Sequence, residues 1–313
     1  MSKNLLVILI WVLVLLGSQG SLGAQQERIP VTASIVPLGE FCRQIGLDRV
    51  EVQVLIPPGA SPHTFEPPPS VVARAAKARV FVYIGEGLEP WAGRLSRSLG
   101  KGSVALEAAQ GLPLIRETHG QGTQESGHGK GKHSSSHSHE GGANPHVWLD
   151  PVLAQEICKK IAQALIQVDP THREYYQKNL ENYLGKLEAL HKEIEERVSG
   201  FRIRKYVCFH PAYAYFSRRY GLEEVGVIEI SPGREPSPKH LRNLVAQIRK
   251  HQIQVIFAEP QLSPRVAEAI AQEASVRVAM LDPLGGRPPY GSDYLALMRH
   301  NLQVMSESMG DGR

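Results

Sequence analysis

Between residues 29 and 168, short runs of β-branched and aromatic residues alternate with longer stretches whose apolar positions recur every three or four residues. The first pattern predicts strands at 31–34, 50–55, 80–84 and 104–106, and the second predicts helices over 38–45, 70–76, 91–99 and 151–168. Val80-Phe81-Val82-Tyr83-Ile84 is apolar throughout, as a strand covered on both faces would be. Alternation of this kind builds a parallel sheet. After Gly200 it resumes, with strands at 206–209, 223–228, 255–258 and 276–280 and helices over 213–220, 238–251, 264–273 and 294–305. Between the two series, Leu180, Tyr183, Leu184, Leu187, Leu190, Ile194 and Val198 mark one helical face. Asp169-Pro170 reads as its N-cap and first residue, and Gly200 as its stop. Such a helix, about 29 residues long, reaches about 44 Å, enough to bridge two lobes. The pattern predicts an α/β chain: two βα lobes with parallel sheets, joined by one long rigid linker helix.

Two segments fall outside this pattern. Lys3, the apolar run from Leu5 to Leu16 and the small residues from Gly17 to Ala24 have the layout of a secretory signal. The run is shorter than the roughly 20 residues of a membrane span. No cysteine lies near the expected cut, which argues against a lipid anchor. The stretch from Gly120 to Gly142 is apart for another reason: it is Gly, Ser, His and Lys with almost nothing to bury, and it is expected to be a mobile loop. The expected organisation is a leader (1–24), an N-terminal lobe (25–168) carrying a histidine-rich loop (119–142), a linker helix (169–200) and a C-terminal lobe (201–313).

Charge narrows the function. With 35 Lys+Arg against 31 Asp+Glu the chain is near balance, which argues against a nucleic-acid partner. Cys42, Cys158 and Cys208 are too few and too widely spaced for a disulfide framework; one bridge and a free thiol, or three thiols, both fit.

Candidate chemistry collects at strand ends. His63 follows the second predicted strand through Pro57-Pro58-Gly59-Ala60-Ser61-Pro62, and His146 precedes the helix starting at Pro151. His210 ends Tyr206-Val207-Cys208-Phe209, and Asp282 follows the strand at 276–280. The carboxyl ends of strands line the ligand crevice in open α/β sheets, so two donors from each lobe would meet between the lobes. Three imidazoles and a carboxylate suit Zn²⁺; a carboxylate-rich set would suit Mn²⁺ or Mg²⁺. Alone, any of these histidines reads as a solvated loop residue. Asp150 reads as a helix N-cap, and Cys208 as a small buried residue. Glu259 is a candidate partner orienting a histidine, or a plain strand-end charge. His119, His128, His133, His137 and His139 form a candidate secondary set for weaker zinc binding.

In order along the chain, Pro58-Gly59-Ala60-Ser61-Pro62-His63-Thr64-Phe65-Glu66-Pro67, Gly87-Leu88-Glu89-Pro90-Trp91, Asn144-Pro145-His146-Val147-Trp148-Leu149-Asp150-Pro151, Phe209-His210-Pro211-Ala212-Tyr213, Phe257-Ala258-Glu259-Pro260-Gln261 and Leu281-Asp282-Pro283-Leu284-Gly285 resemble the metal-binding solute-binding proteins of bacterial ABC importers, zinc-uptake branch. The resemblance implies two βα lobes and a metal held between them by His63, His146, His210 and Asp282. It further implies an extracytoplasmic, monomeric, non-enzymatic receptor that delivers Zn²⁺, as transported solute, to a membrane permease with its cytoplasmic ATPase. The histidine-rich loop leaves room for a zinc-donating chaperone as a further partner. Members of the manganese branch typically carry glutamate where this chain has His210. Some zinc-branch members have a disulfide in the second lobe; here Cys208 stands alone after Gly200. The alternatives are a manganese receptor or a metal-dependent adhesin on the same frame. More remote is a zinc hydrolase with Glu259 as general base, for which no HExxH-type motif is present.

Overall fold

The computed structural model describes residues 27–116, 142–229, 233 and 235–310. The expected leader and the five loop histidines, His119, His128, His133, His137 and His139, lie outside the described residues.

The first four strands are β1 (Ile29–Ala33), β2 (Val50–Val54), β3 (Val80–Tyr83) and β4 (Val104–Glu107), and they form one parallel sheet in the order β2-β1-β3-β4. Between and after them run α1 (Val36–Gly46), α2 (Pro69–Ala75), α3 (Ala92–Arg97) and α4 (Pro151–Val168). The second lobe repeats the plan. Its strands β5 (Lys205–Cys208), β6 (Glu223–Val227), β7 (Val255–Ala258) and β8 (Arg277–Met280) pair in parallel in the order β6-β5-β7-β8. In each sheet the chain steps outward to one side of its first strand and then crosses to the other. The crevice at such a reversal, beyond the carboxyl ends of the strands, is where open α/β sheets bind ligands.

The expected linker helix is present as α5 (Arg173–Ser199), 27 residues or about 40 Å long. It buries Tyr176, Asn179, Tyr183, Leu187, Leu190, Ile194 and Val198 and packs against α1, α4 and the last helix, Tyr294–Met309. One apolar cluster runs from Val31 through α5 to Met309, so the helix shares its core with both lobes. Asn179, the polar member of the stripe, donates to the Ile45 carbonyl near the end of α1 at 3.0 Å.

The start of α5 differs from expectation. Pro170–His172 is a 3₁₀ turn, and the α-helix begins at Arg173. Asp169 has other partners than the helix amides. Its carboxylate accepts from Arg49 Nη2 at 2.8 Å and Tyr176 Oη at 2.7 Å, and it also meets His172 and Thr171. Asp150, by contrast, caps as its sequence position predicts, accepting from Val152 N, and Ser237 caps the helix starting at Pro238 through His240 N. Cys42, Cys158 and Cys208 are free and buried.

The lobes interlock at their loops. Arg287 Nη2 reaches across to the Pro58 carbonyl at 3.2 Å. Gly59 and Gly286 have φ of +89° and +86°, and a Cβ on Gly286 would lie 2.7 Å from the Pro58 ring. Glycine is required there for conformation and for space.

Candidate metal centre

Two neighbouring strand ends build the second-lobe half of the site. β5 and β7 pair with Cys208 opposite Phe257. Two residues beyond that pair, on each strand, come His210 and Glu259. His210 Nδ1 and Glu259 Oε1 meet at 2.5 Å, both groups buried. An ionised carboxylate accepts only, so Nδ1 carries the proton and Nε2 turns its lone pair outward.

The first lobe supplies two more imidazoles. His146 follows Pro145 at the head of a 3₁₀ turn, Val147–Leu149, that leads into α4. Asn144 Oδ1 accepts from the His146 backbone N–H at 3.0 Å and from its Nδ1 at 2.9 Å. Nδ1 is therefore the protonated nitrogen, and Nε2 is free to act as a donor to metal. His63 sits in a tight turn in which Thr64 and Phe65 N–H both bond to the Ser61 carbonyl. It is half-buried and lines the cleft.

These side chains converge. His63 Nε2 lies 3.2 Å from His146 Nε2, and His210 Nε2 lies 3.1 Å from the same atom. Donor atoms of the three residues all fall within 4.8 Å of one another. Two nitrogens bound at about 2.0–2.1 Å to a tetrahedral ion stand about 3.3–3.4 Å apart. The two pairs that share His146 thus have nearly the edge length of a zinc tetrahedron before any ion is placed.

Protonation favours capture at two of the three positions. Burial, with the neighbouring His210 charge, holds His63 down to about 3. Burial, with His210 and His63, holds His146 well below the usual imidazole range. At His210 burial also opposes the charge, but the charge and hydrogen bond of Glu259 outweigh it and the net shift is upward. Of the three, only His210 is shifted toward holding a proton.

Asp282 is placed differently. It is buried beyond β8, and its backbone is paired in both directions with the Asn301 side chain, at 3.0 and 2.8 Å. Its Oδ1 accepts from Gln261 Nε2 at 2.8 Å, Leu284 N at 2.9 Å and Gly285 N at 3.1 Å, and its Oδ2 from Tyr290 Oη at 2.5 Å. The carboxylate stands outside the three-imidazole set among the described residues. Leu284 and Pro283, just after it, line the cleft with His63, His146 and His210.

Asn144 and Trp148 did not emerge from the sequence as site residues. Trp148 is fully buried, and its Nε1 donates across the lobes to the Pro283 carbonyl at 2.7 Å while its own carbonyl accepts from Tyr294 Oη at 2.7 Å. The signal for Asn144 was local: an asparagine two residues before His146, bonding its N–H, is an Asx-turn.

Two parallel α/β lobes held by one long helix, with converging imidazoles from both lobes in the cleft, define the class of solute-binding proteins that grip a single metal ion. Residues 31–308 match the family described as zinc-uptake complex component A, periplasmic, and the chain belongs to that family. It is 34% identical over 297 residues to the high-affinity zinc uptake system protein ZnuA of Bacillus subtilis, covering 93% of this chain and 91% of that one. A crystal structure of ZnuA superposes with a TM-score of 0.77 at 31% identity, over 91% of this chain and 100% of the other. A mutant structure of the laminin-binding adhesin of Streptococcus agalactiae gives the same score and identity, over 90% and 99%.

Proposed function

We propose that the protein is the extracytoplasmic receptor of a zinc-uptake ABC transporter: it captures Zn²⁺ between its lobes and delivers it to a membrane permease served by a cytoplasmic ATPase. One observation carries the reading: three imidazoles converge, with donor atoms within 4.8 Å of one another and His146 Nε2 at 3.1–3.2 Å from the other two Nε2 atoms. Three nitrogen donors favour Zn²⁺ over Mn²⁺, which prefers oxygen. His63, His146 and His210 are the proposed ligands, and Asp282 is the proposed fourth. To reach the ion, Asp282 exchanges one of its present hydrogen bonds for the metal. With four protein ligands no coordination position remains for an activated water, so the site holds an ion rather than performing hydrolysis.

Metal-free protein titrated with Zn²⁺ and Mn²⁺ against a competing chelator tests this. The expected result is one tight zinc site, with manganese bound far more weakly. No tight zinc site, or equal affinity for the two ions, overturns the proposal.

A further inference from the structure

Asn144 belongs to the first lobe by sequence, yet its bonds divide between the lobes. Its backbone N–H bonds to the Ile115 carbonyl at 2.8 Å, within its own lobe. Its carbonyl accepts from Tyr215 Oη of the second lobe at 2.6 Å. Its side chain does two things at once. Oδ1 accepts from the His146 backbone and from His146 Nδ1, and Nδ2 donates to the Pro211 carbonyl at 2.7 Å, one residue past His210. The amide cannot be turned over: the backbone N–H needs an oxygen and the Pro211 carbonyl needs a donor. The residue is 4% exposed, so water cannot readily replace either bond.

We infer that Asn144 is the positioning residue of the centre, one amide that fixes the His146 tautomer and ties it across the lobe boundary to the backbone beside His210. This rests on the metal reading for its purpose, but not for its geometry. A ligand histidine whose distal nitrogen donates to a fixed acceptor presents its other nitrogen in one orientation. Here the same amide also holds the lobe that carries the next ligand. The 3.1 Å spacing of His146 and His210 then has a physical cause in a residue that touches no metal.

The test uses the full mature chain. In metal-free protein the His146 ring nitrogens, followed by ¹⁵N NMR and assigned by their loss in His146→Ala, should show the Nδ1–H form. In Asn144→Ala that form should give way to a mixture, and zinc affinity should fall about 10–100-fold, the usual effect of removing a ligand's outer partner. Asn144→Asp keeps an acceptor for the imidazole but turns an oxygen toward Pro211. It should retain the Nδ1–H signature while amide exchange speeds up at Ala212, whose N–H bonds to the His210 carbonyl. An unchanged tautomer and zinc affinity within about twofold in Asn144→Ala overturns the inference. So does unchanged exchange at Ala212 in Asn144→Asp, which decides the matter if the alanine variant does not fold. If the wild-type chain lacks tight zinc binding, the metal reading fails; the tautomer and exchange arms still judge the role of Asn144.

Discussion

His146 Nε2 and His210 Nε2 lie 3.1 Å apart, although 64 residues separate them and they enter from different lobes. Each distal nitrogen is engaged by a different acceptor, Asn144 Oδ1 and Glu259 Oε1. Two Nε2 lone pairs facing each other in a buried cleft repel, and a proton or a metal ion held between them removes the repulsion. Replacing either histidine by alanine should therefore cost more than losing an outer partner, over about 100-fold in zinc affinity. His63 is half-buried while the other two are buried, so water would more readily take its coordination position. His63→Ala should bind zinc more weakly than wild type but better than His146→Ala. Chelator competition on the three variants checks the order, and equal losses would contradict it.

The pH dependence should reflect one imidazole. His63 and His146 are held neutral by burial, so they lose no proton when zinc arrives. His210 is raised by Glu259 against the opposing effect of burial. Protons compete with the metal there, so affinity is full above the His210 range and falls as pH drops through it. The slope should approach about tenfold per pH unit, one proton per zinc. Glu259→Gln removes the charge that lifts His210. It should move the acid-side loss to lower pH and reduce affinity at pH 8 about 10–100-fold. Affinities measured from pH 8 to 5 decide this, and a slope near three protons would contradict it.

Much of this centre was legible in the residues. Alternating apolar runs gave both parallel sheets, because buried parallel strands have to be apolar on both faces. Each histidine falls in a loop just after a strand or just before a helix, which placed it at the crevice. Pairing between distant segments was not legible. Nothing near Glu259 in sequence points to His210; the register of β5 against β7 does. Asp282 occupies the expected strand end, but its hydrogen bonds to Gln261 and Tyr290 depend on how the following loop folds back. The start of α5 shows a similar limit. Asp169-Pro170 has the local form of a cap, yet Arg49, 120 residues earlier in the chain, draws the carboxylate away.

The histidine-rich loop should contribute only secondary binding. Its five histidines lie in a polar stretch rich in Gly, Ser and Lys, and the three converging imidazoles are all built from residues outside it. Deleting 120–142 should leave the strongest zinc site within about threefold of wild type while removing weaker, higher-capacity binding, as expected when a tethered segment raises local ion concentration. Calorimetric titration of the two forms distinguishes the sites, and loss of the strongest one would contradict the assignment.

Trp148 ties the lobes without touching the ion. Its indole N–H meets the Pro283 carbonyl at 2.7 Å, in full burial. Trp148→Phe leaves an aromatic ring but strands that carbonyl, and an unmatched buried polar group costs about 1–3 kcal/mol. Urea unfolding of the metal-free protein should show a loss of that size. A loss below about 0.5 kcal/mol would mean that the carbonyl finds another donor.

Arg49 donates to Asp169 through Nη2, while its Nε and Nη1 are buried without hydrogen-bond partners. Asp169 is thus the anion facing a largely buried guanidinium, with side-chain exposures of 13% and 11%. Asp169→Asn keeps the shape and removes the charge. Breaking one side of a fully buried pair costs about 3–5 kcal/mol; the exposure that remains here brings the expected loss to about 2–3 kcal/mol. Burial alone would raise the Asp169 carboxyl, but hydrogen bonds from His172, Tyr176, Arg49 and Thr171 outweigh it and hold the group far below the ordinary carboxylate range. A carboxyl depressed on folding contributes its full stability above its unfolded value of about 3.9, and loses it as pH falls toward the folded value. The stability gap between wild type and Asp169→Asn should therefore be constant from pH 8 to about 5 and narrow below about 4. Denaturation at a series of pH values measures it, and a gap that widened on acidification would show that the carboxylate does not anchor the helix.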